Sequence, residues 1–306
     1  MSLEIIIAGD AVIGKDNAAE FQTSTPGLLL GGLGQLWQAA DARVFTLASP
    51  LTDAAGCCAE AAAPACAEGI AALNPTGVNL CTERIAACGE AGILATRAAL
   101  KSRQVAFFGA GEDTDEADQP FFFVRHGVRV GLYAVCADEG ACATERKAGS
   151  NPLDLINLGD RVREIKSNCD RLVVIYRGGT GGYPYPTPFE QKVCRKAAEC
   201  GASLVLSEGS HTAGCSERWN NTTIAYGLGG FLGGEAQAGL LVRYTVGDYG
   251  ADTVEFVPVT GTLGKASLAG EAEAAALLET FEKRSLRVRI EGFVPARFAE
   301  MQAASA

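Results

Sequence analysis

The sequence predicts an α/β protein with a mixed β-sheet, folded as one domain, and three observations carry that expectation. Strand-like apolar runs alternate with helix-like segments through the first two-thirds of the chain, the final third is rich in strands, and neither an internal repeat nor a linker interrupts them. With 306 residues, 48% of them hydrophobic, the chain has apolar surface enough for one large core. A single domain over residues 1–306 is therefore expected.

Ile5-Ile6-Ile7-Ala8 is a bare apolar run ended by Gly9-Asp10, which predicts a short strand covered on both faces. Residues 43–47 predict a second strand. Pro64, followed by an Ala-rich apolar stretch to residue 73, predicts a helix begun at that proline. Residues 77–80 read as a strand, 90–101 as a helix and 105–108 as a strand. Phe121 to Arg125 and Val128 to Cys136 flank His126-Gly127 and predict a hairpin through a tight turn. Residues 137–152 read as a loop. A helix over 158–166 leads into an apolar strand over 172–176, then a Gly/Pro loop over 178–188 and an amphipathic helix over 189–199. Further strands are expected at 204–206, 224–226, 240–246 and 254–259, and a helix over 270–283 that closes the chain over a sheet.

A formal net charge of −10 and a pI near 4.9 argue against nucleic acid or an anionic membrane as partner, because both require a basic face. A small molecule is the expected partner. No run approaches the roughly 20 apolar residues of a membrane helix, and MSLEIIIAGD lacks a basic stretch followed by a hydrophobic one, so the chain as written reads as cytoplasmic. Eleven scattered cysteines, an odd number, do not make the disulfide framework of a small secreted domain, and most are expected to be reduced. No pair has C-x-x-C spacing and there are only two histidines, so a zinc ribbon or finger is not expected. The vicinal pair Cys57-Cys58 reads as two thiols in a loop.

Several segments, taken in order, resemble the CapA-type capsule and poly-γ-glutamate synthesis proteins. They are Ala8-Gly9-Asp10; Phe45 to Thr52, similar to F-N-L-E-x-P-L-T; Val78 to Gly89, similar to a segment with L-A-N-N-H and D-x-G; Gly109-Ala110-Gly111 with Glu116-Ala117 and Pro120; Asp170 to Gly179, similar to a strand ending in H-G-G, with Tyr183 to Pro188 after it; Ser207 to Thr212, similar to H-S-H; and Ala225 to Phe231, similar to Y-G-x-G-N-F. Their order and spacing cover residues 5 to about 235. The resemblance implies packed β-sheets flanked by helices, an α/β/β/α metallophosphoesterase-like sandwich, with a two-metal cleft at the strand ends. Such a cleft needs several carboxylate, imidazole and amide ligands converging on bridged ions that clamp a phosphoryl-type group.

This chain departs from that ligand set. Asp10 and His211 stand at its first and last positions, but Thr46 and Ala48 replace an Asn and a Glu, Thr82-Glu83-Arg84 replaces N-N-H, Ala87 replaces the following Asp, and Arg177 replaces the H-G-G histidine. Gly181, Gly209 and Gly230 stand at further ligand positions. Replacement that spares the framework and empties the cleft predicts an engineered pocket for a small ligand, with no metal and no other cofactor. The alternatives are a natural non-catalytic family member that binds a glycan or peptide, and a residual metal hydrolase using Asp10, Glu83 and His211.

If the cleft is catalytic, the expected chemistry is metal-independent hydrolysis of an ester-type substrate. Cys81 at a strand end would be the nucleophile and His211 its base. Asp10 would orient His211 or else cap the first turn after its strand. Glu83 and Asp138 are alternative bases. Arg84, Arg177 and Thr46 complete the candidate ligand contacts, the arginines either holding an anion through paired N–H groups or pairing with Glu83 or Asp138. His126, in the hairpin turn, reads as solvated.

Overall fold

The computed structural model describes residues 2–23, 26–54, 57–58, 61–233, 238–247, 252–262 and 264–305. Two β-sheets pack face to face with helices on their outer faces, as the resemblance implies. The first sheet has the order Lys265–Leu268, Thr253–Thr262, Ala238–Val246, Leu3–Ala11, Ala42–Leu47, Gly77–Asn79 and Phe107–Phe108, and Gly230–Leu232 pairs with the end of Leu3–Ala11. The second runs Ala213–Trp219, Thr222–Leu228, Leu204–Glu208, Arg171–Arg177, Val128–Cys136 and Phe121–Arg125.

Alternation along each central strand builds the layers, because successive side chains point to opposite faces. Ile5 and Ile7 of the first sheet meet Val173, Ile175, Leu204 and Leu206 of the second in the middle layer. Ile6 and Ala8 face the outer layer that holds Trp37 and Ile70, and Leu172, Val174 and Val205 face the helices Leu158–Ser167 and Pro188–Glu199. Trp37 stacks on Phe231 with centroids 5.2 Å apart, and its Nε1 donates to the Leu73 carbonyl at 2.8 Å, which satisfies the one polar atom of that buried ring.

The hairpin falls on Phe121–Arg125 and Val128–Cys136, and the closing helix on Glu271–Val288. That helix packs against Ala213–Trp219 of one sheet and Thr253–Thr262 of the other, and Ser285 Oγ accepts from the Ser216 amide at 2.8 Å, so it seals the edge of the sandwich. Two expectations differ, and two elements lie outside the expected set. The expected strand at 105–108 is confined to Phe107–Phe108. His126 is not simply solvated, since its Nε2 lies 2.8 Å from Asp41 Oδ1. Ala213–Trp219 forms a strand although Ser216, Glu217 and Arg218 break its apolar pattern. Phe293–Ser305 adds a last helix, whose Phe293 and Phe298 pack edge-on against Tyr185 and Tyr183.

The helix Pro188–Glu199 opens with a capping box: Thr187 Oγ1 accepts from the Glu190 amide at 3.0 Å, and Glu190 Oε2 accepts from the Thr187 amide at 3.1 Å. Thr187→Ala should destabilise the protein by about 1 kcal/mol, read as a lower urea midpoint with an unchanged slope.

Candidate site at the strand ends

In both sheets the central strands run parallel, which brings their carboxyl ends to one rim, the usual place for a site in α/β proteins. Register aligns the polar residues there: Asp10 lies beside Thr46 and Gly230, Thr46 beside Asn79, and Glu208 beside Arg177, which also neighbours Cys136. Asp10 is not a turn cap. It sits inside the strand Leu3–Ala11, its carboxylate turned toward the opposite sheet.

Arg177, 1% exposed, spans the gap between the sheets. Its Nη1 donates to Asp10 Oδ1 at 2.6 Å, while Nε and Nη2 bind both oxygens of Glu83 at 2.7 and 2.8 Å. Nη1 also lies 3.8 Å from Glu208 Oε2. This two-pronged pairing fixes the guanidinium plane as well as its charge. Burial pushes the Asp10 carboxyl up, but Arg177 and the His211 hydrogen bond outweigh it and hold Asp10 well below the usual carboxylate range. Burial likewise opposes ionisation of Glu83, and Arg177 reverses the sign. The Arg177 guanidinium, which burial would weaken as a base, is held firmly cationic by Asp10, Glu83 and Glu208.

Glu208 behaves differently. Burial and the negative charge of Asp10 push its carboxyl up to about 8, against the pull of Arg177 and of the hydrogen bond from Thr46, so it is mostly neutral at pH 7. Thr46 Oγ1 donates to Glu208 Oε2 at 2.7 Å and accepts from Asn79 Nδ2 at 2.9 Å. Asn79 Oδ1 in turn accepts from the Cys81 amide at 2.9 Å. A second polar bridge therefore crosses from sheet to sheet, although Glu208 Oε1 has no hydrogen-bond partner among the described residues.

His211 pairs with Asp10, Nδ1 to Oδ2 at 3.2 Å, on a loop where its own φ is +53°. The structure does not bring Cys81 to it. That thiol is fully buried, with Sγ 3.8 Å from the Asn151 carbonyl, and burial together with the neighbouring Cys136 and Cys142 thiols pushes its pKa well up. Thr46 is buried in the bridge rather than open to a ligand. Asp138 is exposed and accepts from the Gly140 amide at 3.0 Å. The Arg84 amide donates to Thr82 Oγ1, and Arg177 reaches both oxygens of Glu83. A cavity of about 420 Å³ opens above the network, lined by Glu83, Cys136, Asp138, Arg177, His211 and the loop glycines 178, 179, 181 and 209. A second cavity, about 780 Å³, runs from His211 along the closing helix to Glu273 and Arg284.

Sequence reasoning passed over Glu208 and Asn79. The available signal was positional: like Arg177, each is the polar residue that ends an apolar strand.

The family described as bacterial capsule synthesis protein PGA_cap matches residues 4–235. The capsule biosynthesis protein CapA of Bacillus anthracis is 25% identical over 194 residues, which are 60% of this chain and 47% of that protein. The matched stretch is thus about half the length of that relative. Among solved structures, the NAD nucleotidase NadN of Haemophilus influenzae superposes with a TM-score of 0.51 at 11% identity, covering 92% of this chain and 56% of that one. A hypothetical protein from Thermus thermophilus gives 0.53 at 10% identity, covering 84% and 98%. At such identities the structures bear on the fold alone, and they place it with metallophosphoesterase-like sandwiches.

Two outcomes follow from the charges. Arg177→Met should destabilise the protein by about 3–5 kcal/mol, because the buried Asp10 carboxylate loses its counter-charge, read by urea unfolding. Glu208 takes the opposite sign from an ordinary carboxylate. Its folded-state pKa lies above the usual 4.5, so its contribution is fully present below that value and is lost as pH rises through about 8. Glu208→Gln should therefore flatten the fall in stability between those two pH values, measured as urea midpoints against wild type.

Proposed function

The chain belongs to the bacterial capsule synthesis protein family PGA_cap, and we propose that it serves capsule biosynthesis through a cleft that binds a small polar ligand without a metal centre. The observation that carries this reading is the Arg177 guanidinium, held by both oxygens of Glu83 and by Asp10. A two-metal centre needs those oxygens as ligands and no fixed cation among them. The residues present do not fit one: Arg177 engages two of the carboxylates, Thr46 and Asn79 are spent on each other and on Glu208, and His211 Nδ1 is spent on Asp10. The same chemistry follows whether the cleft was rebuilt by design or by descent.

The charge of Arg177 is matched by Asp10 and Glu83, so it offers little to an anion, while Glu83 and Asp138 keep the cavity acidic. Hydroxyl- or amino-bearing units of a glycan or peptide suit that lining better than a phosphate ester does. A second reading, metal-independent hydrolysis, has one specific observation in its favour: Asp10 engages Nδ1 of His211 and leaves Nε2 uncommitted to it, the arrangement of an oriented general base. The thiol half has no such support, because burial keeps Cys81 protonated and a thiol is a far weaker nucleophile than a thiolate.

Equilibrium dialysis against Mn²⁺, an ion that prefers oxygen and nitrogen ligands, tests the main reading. Wild type should retain less than one ion per chain, and Arg177→His, which removes the fixed cation and leaves the carboxylates, should retain more. Two tightly held ions in wild type would falsify the reading. For the hydrolytic reading, His211→Ala should slow turnover of an activated aryl ester by about 100-fold or more and Cys81→Ala should not. The reverse pattern would restore the thiol as nucleophile.

A further inference from the structure

Away from the cleft, three sulfurs meet at the start of the helix Gly89–Ser102. Cys57 and Cys58 come from the loop after the strand Ala42–Leu47, and Cys88 immediately precedes the helix. The ligating atoms of all three lie within 4.8 Å of one another, and all three residues are half-buried. In the structure Cys57 and Cys88 are joined as a disulfide, with Cα atoms 5.1 Å apart, which differs from the two loop thiols expected of the vicinal pair. The third sulfur stays free, and Cys58 Sγ lies 3.5 Å from Cys88 Sγ.

We propose that in the reduced protein Cys57, Cys58 and Cys88 form a three-thiolate site for one thiophilic divalent ion of the zinc class. Metal–sulfur bonds of about 2.3 Å in tetrahedral geometry place sulfurs about 3.8 Å apart, close to the Cys58–Cys88 separation already present. Loss of the disulfide lets Cys57 withdraw to the same distance. Three soft ligands select such an ion over Mg²⁺ or Ca²⁺, and partial exposure leaves the fourth position to water.

Charge supports the same assignment. A divalent ion with three thiolates carries a net negative charge, and it would sit at the N-terminus of a 14-residue helix, where the helix dipole favours an anion. The steps balance. A dithiol reductant passes two electrons and two protons to the Cys57–Cys88 disulfide and leaves as its own disulfide; the ion then displaces one proton from each of three thiols. Metal binding and the disulfide are mutually exclusive states of one cluster, so an oxidant that restores the disulfide also releases the ion.

The probe is Cd²⁺, added without oxygen to protein reduced by a phosphine that is then removed, and read by the ultraviolet sulfur-to-cadmium charge-transfer band. Reduced wild type should titrate to one ion per chain at this site, and oxidised wild type should show no band. Cys57→Ser, Cys58→Ser and Cys88→Ser should each weaken or abolish it, while Cys142→Ser, in the separate buried thiol group, should leave it intact. Circular dichroism of each variant checks that the fold is retained. No band in reduced wild type, or a band unchanged in Cys58→Ser, overturns the proposal. A band lost only in Cys142→Ser assigns the ion to the buried thiols instead and overturns it equally.

Discussion

A guanidinium cannot be held at the seam of a β-sandwich unless carboxylates surround it, and that requirement organises the centre of this molecule. Desolvating an ion costs several kcal/mol even after the protein relaxes, so the partners must be close and correctly oriented. Arg177 meets the condition by drawing on separate elements. Asp10 comes from the opposite sheet, Glu83 from the turn after the strand Gly77–Asn79, and Glu208 from the adjacent strand. The two sheets are thereby fixed at the rim by charge, as they are fixed in the middle layer by Ile5, Ile7, Val173 and Ile175. The neutral state of Glu208 belongs to the same balance, because a third carboxylate ionised beside Asp10 would leave two anions without a cation.

How far the sequence reveals this depends on whether the signal is local. The hairpin around His126-Gly127 and the helix after Thr187 are legible because turn chemistry, alternation and capping act within a few residues. The strand Ala213–Trp219 is not, since Glu217 becomes a tolerable core residue only after folding brings Arg195 to both its oxygens, at 2.9 and 2.6 Å, and Tyr226 OH to 2.7 Å. Asp10 shows the same limit. Next to a glycine at the end of an apolar run it has the local marks of a turn cap, and only the distant Arg177 and His211 make it a strand residue with a buried carboxylate. Pairing Cys81 with His211 failed for a further reason. A strand-end position says that a residue is near the rim, not which face it takes, and Cys81 takes the face toward Asn151.

Asp10, Thr46, Glu83, Arg177 and His211 converge in the structure through direct contacts or through Glu208. A sandwich of this kind brings the carboxyl ends of its parallel strands together whatever side chains they carry. Fold and meeting point are therefore set by the framework. The chemistry at that point is set by the side chains the framework carries, and the guanidinium of Arg177, paired with Asp10 and Glu83, fixes what those carboxylates can still accept.

The loops above the network determine how such a cleft recognises anything. The amides of Gly178 and Gly179 both donate to the Glu208 carbonyl, at 3.2 and 2.9 Å, and the Gly182 amide donates to the Ser210 carbonyl at 2.9 Å. A Cβ at Gly179 would stand 2.8 Å from the Ser210 amide, and Gly209 has φ +104°, so both positions require glycine for close backbone approach and a left-handed turn. The floor is locked by ion pairs and the wall by backbone hydrogen bonds, which makes the 420 Å³ cavity preorganised rather than plastic. A ligand entering it loses little to ordering the protein, and selection falls to shape and to the few polar groups still free to bond. His211, which lines both this cavity and the 780 Å³ groove beside the closing helix, stands where the two meet. On the proposed reading, a ligand that filled both cavities would pass across that imidazole.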